Sequence, residues 1–213
     1  MANQTFEYFL VLDFEATCWK KGDPRRAPPE VIEFPCVLYD VKNSKIIDEF
    51  QQYVRPSEKP ELTPYCTDLT GIEQLQVDNG VPLKTCLVLF DEWLNKLIEK
   101  HKLSFEKREN LMYTGFCTWS NWDLGTCLFK ECKRKQIKRP KYFSKWIDLR
   151  ALYNNRYGHW PKGLLDTLSE FGLQFEGTQH CGLHDARNTA RLVGRMIEDG
   201  VSFKLTKNIT FKG

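Results

Sequence analysis

The stretch YFLVLDFEATCW, Tyr8 to Trp19, runs an apolar strand into two carboxylates, Asp13 and Glu15. On a strand, residues two apart project to the same face with Cα atoms roughly 6.5 to 7 Å apart, so these side chains aim at a common point. Left bare, they would repel each other and lose hydration. A cation between them removes both penalties, and all-oxygen ligands select a hard ion such as Mg²⁺ or Mn²⁺ over zinc. The plainer alternative is a solvated strand end, or pairing with Arg or Lys from the next loop. Two further segments bear on the choice. WSNWDL sets Asp123 where a strand and loop give way to a helix, and HCGLHDARNTA sets Asp185 at the start of the last helix, five residues after His180. Taken singly, each Asp is an ordinary helix N-terminal residue, favoured by capping and by the dipole, and a lone His in a glycine-containing loop makes structural hydrogen bonds. Together they supply four carboxylates and an imidazole at element ends, where open α/β sheets collect their ligands.

These groups need elements to hold them. Tyr8 to Phe14 is rich in β-formers with little alternation, the pattern of a strand covered on both faces. The polar KKGDPRRAPP, Lys20 to Pro29, reads as a loop. Pro35 to Val41 and Ile46 to Val54 flank the turn KNSK and predict an antiparallel hairpin, with Pro35 at a strand start or edge. From Pro82, the apolar residues Leu83, Cys86, Leu87, Phe90, Trp93, Leu94 and Leu97 keep the spacing of an amphipathic helix. Leu111 to Cys117 predicts a buried strand, Asp123 to about Gln136 a helix, and KWIDL, Lys145 to Leu149, a fifth strand. The last helix is expected to start near His184, carry Ala186, Ala190, Val193 and Ile197 on one face, and end at Gly200. A hairpin followed by strands alternating with helices implies an α/β architecture with a five-stranded mixed sheet.

At 213 residues and 41% hydrophobic content, the expectation is one domain over residues 1–213, with a core of about 6–200 and a short tail at 201–213. The 31 basic residues nearly balance 28 acidic ones, so bulk charge announces no polyanion partner. KECKRKQIKRPK, Lys130 to Lys141, holds seven basic residues against Glu131 alone and reads either as a solvated helix face or as a track for backbone phosphates. No apolar run approaches the roughly 18 residues of a membrane span, and MANQTFEYF lacks the regions of a signal peptide. An intracellular protein of cytoplasm or nucleus is expected, with no membrane association and no obligate protein partner. None of the eight cysteines forms a CxxC pair, so they read as buried free thiols in a reducing compartment, with a scattered zinc site as the alternative.

The set DFEAT, a later WD opening a helix, and His five residues before Asp is similar to the DEDDh 3′→5′ exonucleases, which have an RNase H-like fold. More narrowly, LDFEATCW, VIEFPCVL, YVRP, LTGI, WSNWDLG, WIDLR and HCGLHDARNTA, in that order from about Phe9 to Gly200, resemble the Eri (enhanced RNA interference) exoribonucleases. Within them the likeness is strongest to the second vertebrate paralogue and its short insect relative. The resemblance implies a metal-dependent 3′→5′ exonuclease acting on RNA, or on DNA as well, that releases nucleoside 5′-monophosphates from a free 3′ end. It assigns two Mg²⁺ or Mn²⁺ ions per site to Asp13, Glu15, Asp123 and Asp185, with Asp13 bridging, and makes Glu15 and His180 catalytic. His180 would be the general base, since an imidazole accepts a proton at neutral pH. Glu15, Ala16, Thr70, Gly71, Ile72 and His180 are then expected around the terminal nucleotide. Trp122 is a base-stacking candidate, whereas Trp119 reads as core. The first strand begins close to Met1 and only VSFKLTKNITFKG follows Gly200, so neither the N-terminal nucleic-acid-binding domain nor the C-terminal zinc module of longer relatives is expected. His184 stands where the family commonly has Asp. Two other readings share this fold: a catalytically silent nucleic-acid-binding module, and an RNase H-type endonuclease, which has no evident need for His180.

Overall fold

In the computed structural model, which describes residues 5–206, the first strand β1, Tyr8–Leu12, is covered on both faces. Leu10 and Leu12 enter one apolar layer and Phe9 and Val11 the other, all fully buried, which explains why the strand shows no polar alternation. The other strands are β2 (Glu15–Ala16), β3 (Val31–Asp40), β4 (Lys45–Tyr53), β5 (Leu103–Ser104), β6 (Met112–Thr118) and β7 (Trp146–Asp148). Pairings β1–β3, β2–β3 and β3–β4 are antiparallel, while β1–β6, β5–β6 and β6–β7 are parallel. The sheet is therefore mixed, as expected. It has seven strands among the described residues rather than five, the additions being the two-residue strands β2 and β5.

Helices α1 (Pro64–Thr70), α2 (Gln74–Asp78), α3 (Leu83–His101), α4 (Leu128–Arg134), α5 (Leu149–Tyr157), α6 (Leu164–Glu170) and α7 (Gly182–Glu198) complete the fold. Leu83, Cys86, Leu87, Phe90, Leu94 and Leu97 of α3 face the Leu10 layer, where Phe34, Phe116 and Phe143 meet Phe90. Ala186, Ala190 and Val193 of α7 pack on the opposite layer against Phe9, Val11 and Val37.

Three departures from expectation concern the site. β1 stops at Leu12 rather than Phe14, and the expected helix from Asp123 is split into a single π turn, Trp122–Cys127, followed by α4. The last helix begins at Gly182, two residues before His184. Pro35 lies inside β3 instead of at its start. It falls between the β1 pairing, which ends at Leu12 and Cys36, and the β2 pairing, which begins at Glu15 and Glu33, so that side of the strand has no ladder for it to interrupt. The expected tail also starts later, because Val201 and Phe203 are buried and the Thr206 hydroxyl accepts the Asp148 N–H at 2.8 Å. Residues 207–213 of that tail lie outside the described residues. All eight cysteines are unpaired thiols.

Part of the basic run belongs to the fold. Lys135 reaches Glu30 at 2.5 Å and Glu131 at 2.6 Å, and both carboxylates are fully buried. Glu131 also accepts the Val31 N–H that opens β3, and Glu30 accepts the N–H groups of Ser57, Glu58 and Lys59, so the trio ties α4 to the sheet edge. Removing one member of a buried ion cluster strands the others. Lys135→Ala should therefore lower the unfolding free energy by roughly 3 to 5 kcal/mol in urea titration, and a loss below about 1 kcal/mol would show that the two carboxylates are not held by this amine.

Candidate active site

The site begins where a strand is interrupted. β1 ends at Leu12, the chain re-enters the sheet at Glu15, and the β2–β3 register shifts between Glu15 and Ala16. Freed from the ladder, the Phe14 N–H donates to Asp123 Oδ1 at 2.9 Å. Parallel strands β1 and β6 end level, with Leu12 opposite Thr118, so Asp13 and the π turn that carries Asp123 emerge at the same sheet edge. A π turn widens the helix by one residue, a local irregularity that recurs at functional sites. Here it buries Asp123 to 3% exposure.

The third side is the N-terminus of α7. A Cβ on Gly182 would lie 2.6 Å from the Asp13 carbonyl oxygen, so only glycine lets the helix approach the strand end this closely. Asp185, in the first turn, is thereby buried against the cluster and accepts the backbone N–H of His180. His180 is itself exposed and sits at φ +60°, in the left-handed region, two residues before the helix begins. His184 supports this loop: its Nδ1 accepts the Thr178 N–H at 3.1 Å, and its ring leaves no room for a side chain at Gly177. A ring nitrogen thus accepts a loop N–H at the position where the family resemblance leads one to expect Asp.

A cavity of about 300 Å³ opens between these elements. Asp13, Glu15, Ala16, Thr70, Trp122, Asp123 and His180, all expected site residues, line it together with Phe14, Thr17, Cys18, Leu69, Trp119 and Ser120, which were not expected there. Trp119 both packs on the α7-side core and forms cavity wall, while Trp122 keeps 39% of its surface exposed. Three expected residues stand off the wall. Asp185 acts on the cavity through its charge, which raises the pKa of Asp13 and of Glu15. Gly71 closes α1 in a left-handed cap, and Ile72 is buried in a small core with Ile32, Cys66 and Val77 because it is the apolar residue at the α1–α2 turn.

The electrostatics separate the two readings of the Asp13 and Glu15 pair. Burial, then the charges of Asp123, Asp185, Glu15 and Glu33, push Asp13 well above the usual carboxylate range. Burial followed by Asp185, Glu33 and Asp123 raises Glu15 to about 9. Asp123 and Asp185 are each raised to about 7, chiefly by burial, with the N–H groups of Phe14 and His180 respectively pulling the other way. Among the described residues no ion pair joins Lys or Arg to any of the four. Pairing with a basic side chain is thus ruled out by geometry. Among the described residues no three His, Cys, Asp or Glu side chains stand in finished ligand geometry either. The fit to a divalent ion rests on the donor set: acidic oxygens sharing a buried space without a counter-charge suit a hard cation.

The basic run following this site is only partly available to a ligand. Arg134 pairs with Glu58 at 2.7 Å, Lys135 is held as described above, and Arg139 donates to the Leu124 carbonyl at 3.1 Å while lying over the Phe129 ring. Exposed Lys130, Lys133, Lys138 and Lys141 remain.

The exonuclease family model matches residues 10–193. The chain is 49% identical to ERI1 exoribonuclease 2 of Xenopus laevis over 98% of this chain and 31% of that protein. It is 46% identical to the 3′-5′ exonuclease Snipper of Drosophila melanogaster over 99% of this chain and 76% of that one. The crystallographic nuclease domain of 3′hExo, a DEDDh family member bound to rAMP, shares the fold with a TM-score of 0.85 and 34% identity, over 98% of this chain and 100% of that chain. The chain belongs to the exonuclease family, whose DEDDh members have an RNase H-like fold and depend on divalent metal ions. It spans about a third of the length of the Xenopus relative and about three quarters of Snipper.

The raised carboxylates set a direction for stability. The folded protein holds their protons more tightly than the unfolded chain, whose carboxyl groups titrate near ~4. This contribution is therefore fully present below that value and is lost as pH rises through about 7 for Asp123 and Asp185 and about 9 for Glu15. In chelator the melting temperature should fall between pH 5 and pH 9, and fall less in Asp123→Asn. Identical pH profiles for the two proteins, followed by circular dichroism, would contradict the buried-charge assignment.

Proposed function

We propose that this protein is a metal-dependent 3′→5′ exonuclease that hydrolyses RNA from a free 3′ end and releases nucleoside 5′-monophosphates. The carrying observation is the cluster of Asp13, Glu15, Asp123 and Asp185, with no basic partner among the described residues, around a cavity that has His180 on its wall. The volume, about 300 Å³, lies at the small end of ligand sites, which suits one terminal nucleotide better than a continuous strand. RNA is the preferred substrate class in this reading because the similar 3′hExo domain was solved with rAMP. DNA, which lacks the 2′-hydroxyl, is the comparison substrate. The unpaired thiols suit a reducing compartment, cytoplasm or nucleus.

Asp13, Glu15, Asp123 and Asp185 would hold two Mg²⁺ or Mn²⁺ ions. Such ions, when bound, activate water and stabilise charge on the phosphoryl group and on the departing oxygen. The chain's own groups do the rest. Ala16, Leu69 and Thr70 form one wall and Trp122 offers an exposed face to a base. The His180 imidazole takes the proton of the attacking water as its oxygen bonds to phosphorus. The P–O3′ bond then breaks and the departing O3′ takes a proton from solvent, leaving the 3′-hydroxyl on the shortened chain and the 5′-phosphate on the released nucleotide, while the imidazolium gives its proton back to solvent. The backbone bond from His180 to Asp185 and the His184 support keep the imidazole in place between turnovers.

An end-labelled single-stranded RNA tests this directly. Mononucleotides should accumulate stepwise with Mg²⁺ or Mn²⁺ and disappear in EDTA, whereas internal fragments, or binding without products, would overturn the proposal. Asp13→Ala and Asp185→Ala should each abolish turnover. His180→Ala should lower kcat by about 10²- to 10⁴-fold while calorimetry still detects divalent-ion binding. Trp122→Ala should act mainly on KM, weakening binding by about 1 to 3 kcal/mol.

A further inference from the structure

Glu33 lies in VIEFPCVL, a stretch that carries part of the family resemblance yet has been given no task. It stands on β3 directly across the ladder from Glu15, is 1% exposed, and its charge raises Asp13, Glu15 and Asp185. Its Oε2 accepts the Gly182 N–H at 2.9 Å and its Oε1 the Leu183 N–H at 3.3 Å, while Gln51 Nε2 donates to Oε1 at 2.7 Å. With N–H donors on both oxygens, two from the α7 backbone and one from Gln51, this carboxylate is committed to holding the fold.

The first N–H groups of any helix lack intrahelical partners and are commonly closed by the residue just before the helix. In α7 that residue is Cys181, whose sulfur, a weak acceptor, faces the Leu183 and His184 N–H groups without closing a capping hydrogen bond. The cap comes instead from β3, 149 positions away from Gly182 in sequence. A Ser, Thr or Asn at position 181 could satisfy the same donors without adding a fifth carboxylate to a cluster that already repels itself. What a local cap could not do is index the helix to the central strand.

We propose that Glu33 is a positioning residue: by capping α7 from the sheet it sets where the helix begins, and through it the placement of Asp185 and His180 relative to Asp13 and Glu15. Gly182 completes the device, since its missing Cβ leaves the space that Glu33 Oε2 and the Asp13 carbonyl approach. The inference rests on the exonuclease reading, because the quantity set is the distance between catalytic groups.

The experiment compares parent, Glu33→Gln and Glu33→Ala on single-stranded RNA, with activity expressed per folded molecule from circular dichroism and with KM and kcat separated. The Gln variant keeps one acceptor oxygen, whereas the Ala variant leaves both N–H groups open. Loss of kcat is expected to be graded: about 10-fold for Gln and about 100-fold for Ala, the span typical of groups that orient ligands, with KM within about threefold. A merely structural role would lower the melting temperature and leave kcat per folded molecule unchanged, and that result overturns the proposal. Should the Ala variant fail to fold, Gln alone decides: parental kcat refutes, a tenfold loss at constant KM supports. An inactive parent would instead defeat the exonuclease reading, so the two failures are distinguishable.

Discussion

Like charges buried together at the end of a sheet are the constraint on which the rest of this structure turns. Four carboxylates gather in a largely buried space, and burial is the leading reason that each is shifted upward. A fold tolerates such a cluster only if its members are held by something other than each other. Backbone N–H groups do part of this, Phe14 to Asp123 and His180 to Asp185. Both donors are spared from regular secondary structure, one by the break after β1 and the other by the left-handed turn before α7.

The same irregularities give the site its shape. A continuous first strand would have committed the Phe14 N–H to the ladder, and a regular helix from Asp123 would have no reason to present that residue as the π turn does. Glycine at position 182 brings a helix end within reach of a strand end that any Cβ would hold off. The candidate site lies where regular hydrogen bonding lapses, and the two well-packed layers on either side of the sheet hold those lapses in place.

The molecule also contains buried charge of the opposite kind. Glu30, Glu131 and Lys135 form a closed set in which attraction and hydrogen bonds offset desolvation, and they serve the fold. Among the described residues, the carboxylates of Asp13, Glu15, Asp123 and Asp185 have no such partner. This contrast within one chain distinguishes a structural ion cluster from a site that fits a divalent cation. It also shows why part of a basic run that resembled a phosphate track is committed to holding α4 against the sheet.

Much was legible from residue order alone. The apolar run of β1, the helical spacing from Leu83 to Leu97 and the carboxylates at element ends depend on short-range periodicity and side-chain type, which a sequence displays directly. The ordered motifs from LDFEATCW to HCGLHDARNTA are distinctive enough to point to the family on residue order alone. What residue order could not express is contact between segments far apart. Residue order leaves Glu33 ahead of the strand expected from Pro35, offers Ile72 to a nucleotide, and puts Lys135 in a run that reads as a solvated face or a phosphate track. Their roles follow from which backbone N–H, apolar side chain or carboxylate folding brings beside each of them. Sequence by itself determined which chemistry the chain carries. Tertiary structure decided which of its charges are paired and which face one another, because pairing depends on distances of a few ångströms between residues more than a hundred positions apart.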